Sequence, residues 1–160
     1  MKQWLLKDFL RQTMIAAVYA VLVYVFSISS FGLIQFRIAE VLMILVLFDK
    51  KNVIGLTVGC FIANLLYGAI LIDVIFGSLA TTIAGILMYL TKNKPGLSMI
   101  FPAVSNGLIV GIILTYGYVL GPLWITIPSV FLGEFVVMYA LGLPLYLVLR
   151  KHKGFLEFFQ

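Results

Sequence analysis

Four charged side chains stand among apolar residues, and they are the positions in this chain best suited to bind a ligand. They are Arg37, Glu40, Asp73 and Glu134. A charge in apolar surroundings is costly unless it is paired or meets a ligand, so each of these positions is a candidate for function. Arg37 and Glu40 are three residues apart, which places them on one face of a helix where they can pair.

Glu134 is the strongest candidate of the four. It lies ten residues after Trp124, about 15 Å further along a helix, and no basic residue is near it in the sequence. Either Arg37 reaches it, or a ligand binds it, or it is protonated. Asp73 begins an apolar stretch, so the alternative to a binding role is a cap on the positive end of a helix.

The elements that must position these residues are membrane helices. Hydrophobic residues make up 63% of the 160 residues and charged residues 11%, whereas a soluble domain carries about 25% charged residues. A helix needs about 20 apolar residues to cross a bilayer. The sequence predicts an all-α protein with a single transmembrane domain, residues 1–160, and no room for a soluble catalytic domain. Its six predicted spans are residues 13–30, 36–48, 53–66, 71–90, 97–118 and 123–149.

The basic residues predict the orientation of these spans. With a cytoplasmic N-terminus, one basic residue, Arg37, lies outside and ten lie inside, which is a strong positive-inside signal. Both termini are therefore expected in the cytoplasm, in a multi-pass protein of the cell membrane. This asymmetry, with attraction to anionic lipid, explains the pI of 9.4 without a nucleic-acid partner. The ten are Lys2, Lys7, Arg11, Lys50, Lys51, Lys92, Lys94, Arg150, Lys151 and Lys153.

In this topology the polar residues of the spans converge on the outer half of the bundle. Asn64 lies near the outer end of the third span, and Asn106 lies at a depth similar to that of Glu134. Trp124 lies at an outer end, where aromatic belts form, although its ring could also stack on a flat ligand. This distribution predicts a pocket that opens outward and binds a small polar molecule.

Small residues recur at the spacing that lets helices approach closely. The three sets are Ala16 and Ala20, then Gly55, Gly59 and Ala63, and finally Gly107 and Gly111. Each set either packs within the bundle or forms a docking face for another membrane subunit.

Several catalytic motifs are missing from the sequence. It contains no G-x-x-x-x-G-K-[ST], no H-E-x-x-H and no G-x-S-x-G, and its one histidine is His152. We therefore expect neither an enzyme nor a bound metal or cofactor. Active transport would need a gradient or a partner protein as its source of energy.

These residues resemble the QueT family over nearly the whole chain. The matching motifs are residues 35–40 (QFRIAE), 55–64 (GLTVGCFIAN), 73–81 (DVIFGSLAT), 106–111 (NGLIVG) and 133–134 (GE). The resemblance implies a six-helix S component of an energy-coupling factor (ECF) transporter, which binds queuosine precursors, the 7-deazaguanine bases. It further implies docking through Ala16 and Ala20 on a coupling membrane subunit, and two cytoplasmic ATPases that use ATP.

The candidate residues suit such a ligand chemically. A guanine-like edge presents two adjacent donors, which one carboxylate accepts together. The ring carbonyl needs a donor, which Asn64, Asn106 or Arg37 could supply. An aminomethyl arm would be cationic and would favour a second carboxylate.

Two alternatives remain open at this stage. One is an S component for a different vitamin or base, because the residue spacing does not single out a deazaguanine. The other is a stand-alone, gradient-driven carrier in which Glu134 relays protons. Such carriers often contain two related halves, and no repeat relates the first and second halves of this sequence.

Overall fold

The computed structural model describes residues 6–30 and 35–158, and these residues are helical apart from short connections. Helices separated by turns or short loops confirm the predicted all-α class. The elements are α1 Leu6–Val25, α2 Ser27–Ser30, a 3-10 helix Ile38–Leu47, α3 Asn52–Tyr67, α4 Leu71–Leu90, α5 Pro95–Ser98, α6 Ile100–Tyr116, α7 Leu123–Val136, a π segment Val137–Gly142, α8 Leu143–Leu149 and α9 Lys153–Phe158.

Within the described residues, four helical stretches are long and apolar enough to cross a bilayer. They are Leu6–Val25, Leu71–Leu90, Pro95–Tyr116 and Leu123–Leu149. The second and third predicted spans correspond to shorter apolar helices, Ile38–Leu47 and Asn52–Tyr67. Large apolar side chains are exposed all along the bundle, including Leu66 at 73% and Leu90 at 72%. Such a surface needs lipid rather than water around it.

The helices form a chain of neighbours around one buried element. α1 packs on α3, α3 on α4, α4 on α6, and α6 on α7. The 3-10 helix contacts α1, α3, α4 and the π segment, so it lies inside this arrangement. The largest apolar cluster surrounds it and includes Tyr19, Met43, Ile44 and Met88.

The 3-10 conformation of Ile38–Leu47 aligns one row of its buried side chains. Residues three apart are eclipsed in a 3-10 helix, whereas in an α-helix each such step turns by about 60°. The row that results is Glu40, Met43 and Val46, each 0% exposed. Arg37 is the N-cap residue of this helix rather than a member of it. Its charge still acts on Glu40, so the predicted proximity of these two residues is supported.

α1 begins at Leu6, seven residues before the predicted span that started at Thr13. Its first turns carry charged side chains and precede the predicted apolar span. Arg11 contacts both Asp8 and Asp49, and Lys51 contacts Asp8. These pairs neutralise each other, so the helix can continue through them. Lys2, another basic residue of this end, lies outside the described residues.

Glycines allow close helix contacts inside the bundle. A Cβ on Gly59 would lie 2.8 Å from the Tyr19 Cβ of α1, and one on Gly111 would lie 2.8 Å from the Ile127 Cα of α7. Both distances are too short for a real side chain, so internal packing is confirmed for these two motifs.

The last predicted span, Leu123–Leu149, is continuous but includes the π segment. Pro144 follows this segment and lacks an N–H, so it cannot bond the carbonyl of Ala140 as an α-helix requires. A wider turn at Val137–Gly142 changes the side-chain register below Glu134. Turns of this kind are frequent at functional sites.

Gly133→Ala is expected to destabilise the fold, because its Cβ would overlap the carbonyl oxygen of Gln35. We expect a loss of about 1–3 kcal/mol in the free energy of unfolding, measured as a lower thermal midpoint in detergent. Gly96→Ala is the matched control, since nothing lies within 4 Å of its added Cβ. Equal midpoints for the two variants would contradict the close contact between residues 35 and 133.

Candidate substrate-binding site

The structure brings six of the seven predicted binding residues together in one buried group, which we call the polar cluster. Its charged members come from the 3-10 helix and its start, α4 and α7, and its amides from α3 and α6. Every member is exposed by 1% or less. The polar cluster consists of Arg37, Glu40, Asn64, Asp73, Asn106 and Glu134.

Glu40 is held by residues that the sequence analysis did not select. Its Oε1 accepts hydrogen bonds from the hydroxyl of Tyr19 at 2.6 Å and from that of Thr81 at 3.4 Å. Tyr19 is fully buried on α1. Asp73, Gly77 and Thr81 recur every four residues along one face of α4, and this spacing could have identified Thr81.

Glu134 lies beside an amide donor from the neighbouring helix. Asn106 Nδ2 donates to Glu134 Oε1 at 3.3 Å, which fits their predicted common depth. Glu40 is close enough to repel Glu134 electrostatically, and Arg37 attracts it. Of the three explanations left open for Glu134, the structure supports the proximity of Arg37.

Asp73 does not cap its helix, so that alternative is wrong. Ile70 is the N-cap residue of α4, and its own side chain makes no capping hydrogen bond. Asp73 Oδ2 instead accepts a hydrogen bond from the Tyr118 hydroxyl at 3.0 Å. That hydroxyl accepts one from the backbone N–H of Ile70 at 3.1 Å. Burial raises the pKa of Tyr118 and the nearby Asp73 raises it further, so Tyr118 stays neutral and donates.

The polar cluster and its surroundings contain buried acceptor oxygens without a hydrogen-bond partner. Within the described part of the chain, five buried oxygens have no hydrogen-bond partner. Such oxygens cost free energy unless a ligand or water supplies a donor. They are Gln35 Oε1, Glu40 Oε2, Asp73 Oδ1, Asn106 Oδ1 and Glu134 Oε2.

Acidic side chains outnumber basic ones in the cluster. It contains three carboxyl groups and one guanidinium. Arg37 interacts electrostatically with Glu40, Asp73 and Glu134, and its single positive charge can balance only one ionised carboxylate. The described residues include no group of three metal-binding side chains, so we identify no metal site. The arrangement suits an organic molecule that brings hydrogen-bond donors.

An open cleft borders this cluster at Asp73, and we call it the Asp73 cleft. It has a volume of about 220 Å³. It lies at the end of the bundle opposite the Asp8, Arg11 and Lys51 contacts, because Asp73 and Tyr118 flank the ends of α4 and α6 that point away from them. Its lining residues are Gln35, Tyr67, Gly68, Ala69, Asp73, Leu114, Tyr118 and Leu120.

Three predicted residues lie outside the cluster. Trp124 does not reach it, since its side chain is 79% exposed at the start of α7, as an interfacial aromatic residue would be. Ala16 and Ala20 line an apolar groove of about 660 Å³ between α1 and α3, which we call the α1–α3 groove. Ala16 also packs against Gly59, so it takes part in internal packing as well.

Comparison with known proteins agrees with this geometry. A model of the QueT transporter family matches residues 9–151, which contain the whole polar cluster. The chain belongs to the QueT transporter family. This is a family of transporters rather than enzymes, and the apolar helices agree with a protein of the membrane.

A curated relative and the solved structures add to this finding. The chain is 37% identical over 87 residues to a queuosine precursor transporter QueT of Lactococcus lactis subsp. cremoris (strain MG1363). The aligned region is 51% of this chain and 51% of that protein, so the chain spans about half the length of the curated relative it matches. No solved structure matches the chain.

Tyr19→Phe is expected to destabilise the empty site, because it removes a buried hydroxyl that bonds Glu40. We expect the free energy of unfolding to fall by about 1–3 kcal/mol, measured as a lower thermal midpoint in detergent. Tyr24→Phe is the control on the same helix, since Tyr24 is 74% exposed. If both variants have the same thermal midpoint as the wild type, the Tyr19 hydroxyl does not stabilise Glu40.

Proposed function

We propose that this protein is the substrate-binding S component of an ECF transporter and captures a queuosine precursor, a 7-deazaguanine base, from outside the cell. The observation that carries the proposal is the set of unpartnered buried acceptors in a member of the QueT transporter family. The curated relative is named as a queuosine precursor transporter, which supports this choice of ligand.

The proposed topology has six membrane helices, with both termini in the cytoplasm of a multi-pass protein in the cell membrane. The contacts at one end of the bundle support it. Arg11 and Lys51 meet there through their ion pairs, and Phe155 of the tail packs on Phe48 with ring centres 5.2 Å apart. These basic segments would face the anionic inner leaflet, and the Asp73 cleft would then open outward.

The ligand's donor edge is proposed to meet the carboxylates deep in the cluster. Glu40 Oε2 and Glu134 Oε2 are both buried acceptors in need of donors. The ring N–H and the exocyclic amine of a guanine-like base lie side by side and supply two such donors. Arg37 would donate to the ring carbonyl. Asn106 would position Glu134 through their hydrogen bond.

Partner proteins are proposed to supply the energy for uptake. The sequence has no P-loop, so ATP would be used by two cytoplasmic ATPases, and this chain would need no cofactor of its own. A coupling membrane subunit would dock in the α1–α3 groove. Small side chains at Ala16 and Ala20 support this choice, because they allow another helix to approach closely.

Glu134→Gln is expected to weaken ligand binding strongly. The amide keeps the shape of the side chain but presents an NH₂ donor to a ligand donor. Losing a buried charge-assisted pair costs about 2–5 kcal/mol, so affinity should fall by about 30- to 5,000-fold. Isothermal titration of the purified protein with a 7-deazaguanine base, in the absence of nucleotide, measures this change.

Glu157→Gln, in the exposed tail, is the matched control and should bind like the wild type. A folded Glu134→Gln protein that binds within about threefold of wild type, a difference under about 1 kcal/mol, would remove Glu134 from the site. Wild-type preference for an unrelated vitamin would reject the deazaguanine assignment and leave an S component for another ligand.

Ala20→Leu is expected to abolish uptake in cells while ligand binding persists. Ala20 is half-buried in the α1–α3 groove, and a larger side chain there would block an incoming helix. Ala16→Leu should also stop uptake, although its contact with Gly59 makes some loss of stability expected. Uptake of labelled base by cells and titration of the purified variants provide the two measurements.

Val18→Leu adds bulk to the exposed side of α1 outside the groove, so it should leave uptake unchanged. Normal uptake by Ala20→Leu would place the docking face elsewhere. Loss of ligand binding by Ala20→Leu would instead show that this side chain packs within the bundle.

A further inference from the structure

The helical stretch Leu123–Leu149 meets the 3-10 helix at both of its ends. Glu134 of α7 interacts electrostatically with Glu40, in the first turn of the 3-10 helix. The Tyr146 ring of α8 packs on Phe48, the C-cap residue of the 3-10 helix, with ring centres 5.4 Å apart. The π segment contacts the 3-10 helix between these two points. One side of the stretch must therefore present both Glu134 and Tyr146.

An uninterrupted α-helix would not place these two side chains on one side. Glu134 and Tyr146 are twelve residues apart, and each residue of an α-helix turns by about 100°, so the side chains would point about 120° apart. A π turn takes in one additional residue. The separation then corresponds to eleven regular steps, and the angle falls to about 20°.

The lengths of the two elements agree with the same count. Eleven steps of an α-helix extend about 17 Å. The eight residues from Glu40 to Phe48 extend about 16 Å at the rise of a 3-10 helix. Midway along, a Cβ on Gly142 would lie 3.4 Å from the Cγ2 of Ile44, so the two elements are in contact there as well. The π segment thus matches the helix to its neighbour in both angle and length.

Pro144 accounts for the π segment. Leu143 donates its N–H to the carbonyl of Met138, five residues earlier, whereas an α-helix would use the carbonyl of Tyr139. Pro144 comes next and has no N–H to donate, and in an α-helix its ring would clash with the carbonyl of Ala140. The proline therefore opposes a regular α-helix at this point and favours the wider turn.

Resting on the proposed function, we propose that Pro144 is a positioning residue for substrate binding. By maintaining the π segment, it keeps Glu134 beside Glu40 while the end of the same helical stretch stays packed on the 3-10 helix. Pro144 is exposed and lies ten residues after Glu134. It therefore acts through the register of the helix and makes no contact with the ligand.

Pro144→Ala tests the proposal, because it allows the α-helix to continue. The purified full-length protein is titrated with 7-aminomethyl-7-deazaguanine, and we expect its affinity to fall by about tenfold or more. The thermal midpoint without ligand should not fall, because the variant regains a helix N–H and loses the ring clash. A merely structural proline would lower affinity and midpoint together. Pro144→Leu should behave in the same way, since this side chain is exposed.

Deletion of Ala140 from the Pro144→Ala variant should restore binding. Glu134 and Tyr146 are then eleven residues apart on a regular α-helix, so they again point to one side, about 20° apart. We expect an affinity within about threefold of the wild type. Ala140 is exposed, so the deletion removes no buried side chain. An affinity that stays as low as that of Pro144→Ala would overturn the role of the register.

Pro128→Ala is the matched control, because Pro128 is an exposed proline within the regular part of α7. It should bind the base like the wild type, and a loss equal to that of Pro144→Ala would overturn the proposal.

The wild type separates this inference from the proposed function. If the wild type and Pro144→Ala bind the base equally well, the positioning role is wrong and the proposed function stands. If the wild type does not bind the base, the proposed function fails, and the positioning role fails with it.

Discussion

A buried negative charge inside an apolar bundle is the constraint on which the rest of this structure depends. Glu40 and Glu134 are both 0% exposed, and each would be prohibitive without donors and a cation nearby. Tyr19, Thr81 and Asn106 provide the donors, each from a different helix. The two carboxylates therefore bring α1, α4 and α6 to one point. The remaining packing fills the space around this point.

The 3-10 conformation explains how the short segment Ile38–Leu47 can extend from the polar cluster to the apolar core. Its ten residues extend about 20 Å, against about 15 Å for an α-helix of the same length. Its eclipsed row runs from Glu40 in the polar cluster to Met43 and Val46 in the apolar core, and Arg37 lies just before its start. One side of the 3-10 helix thus contributes side chains to both the polar cluster and the apolar core. A 3.6-residue period would turn part of this row away.

The sequence predicts much of this site because charge within apolar stretches is rare and costly. That argument selected Arg37, Glu40 and Glu134 without any structure, and helix lengths placed Asn106 at the depth of Glu134. It missed Tyr19 and Thr81, since a tyrosine or threonine in a membrane helix is common and carries no charge to mark it. It also placed the start of α1 too late, because Arg11 pairs with Asp49 and Lys51 pairs with Asp8, and both pairs join residues far apart in the chain.

α1 connects the two surfaces that the proposed function requires. Tyr19 directs its hydroxyl to Glu40 in the site, and Ala16 and Ala20 line the α1–α3 groove one turn or less away on the same helix. Gly59 lets α3 approach α1 so closely that a shift of either helix would disturb both surfaces. The polar cluster and the proposed docking groove therefore share one element, α1. Their contributions are separable only when binding to the isolated protein and uptake by the assembled transporter are measured on the same variant.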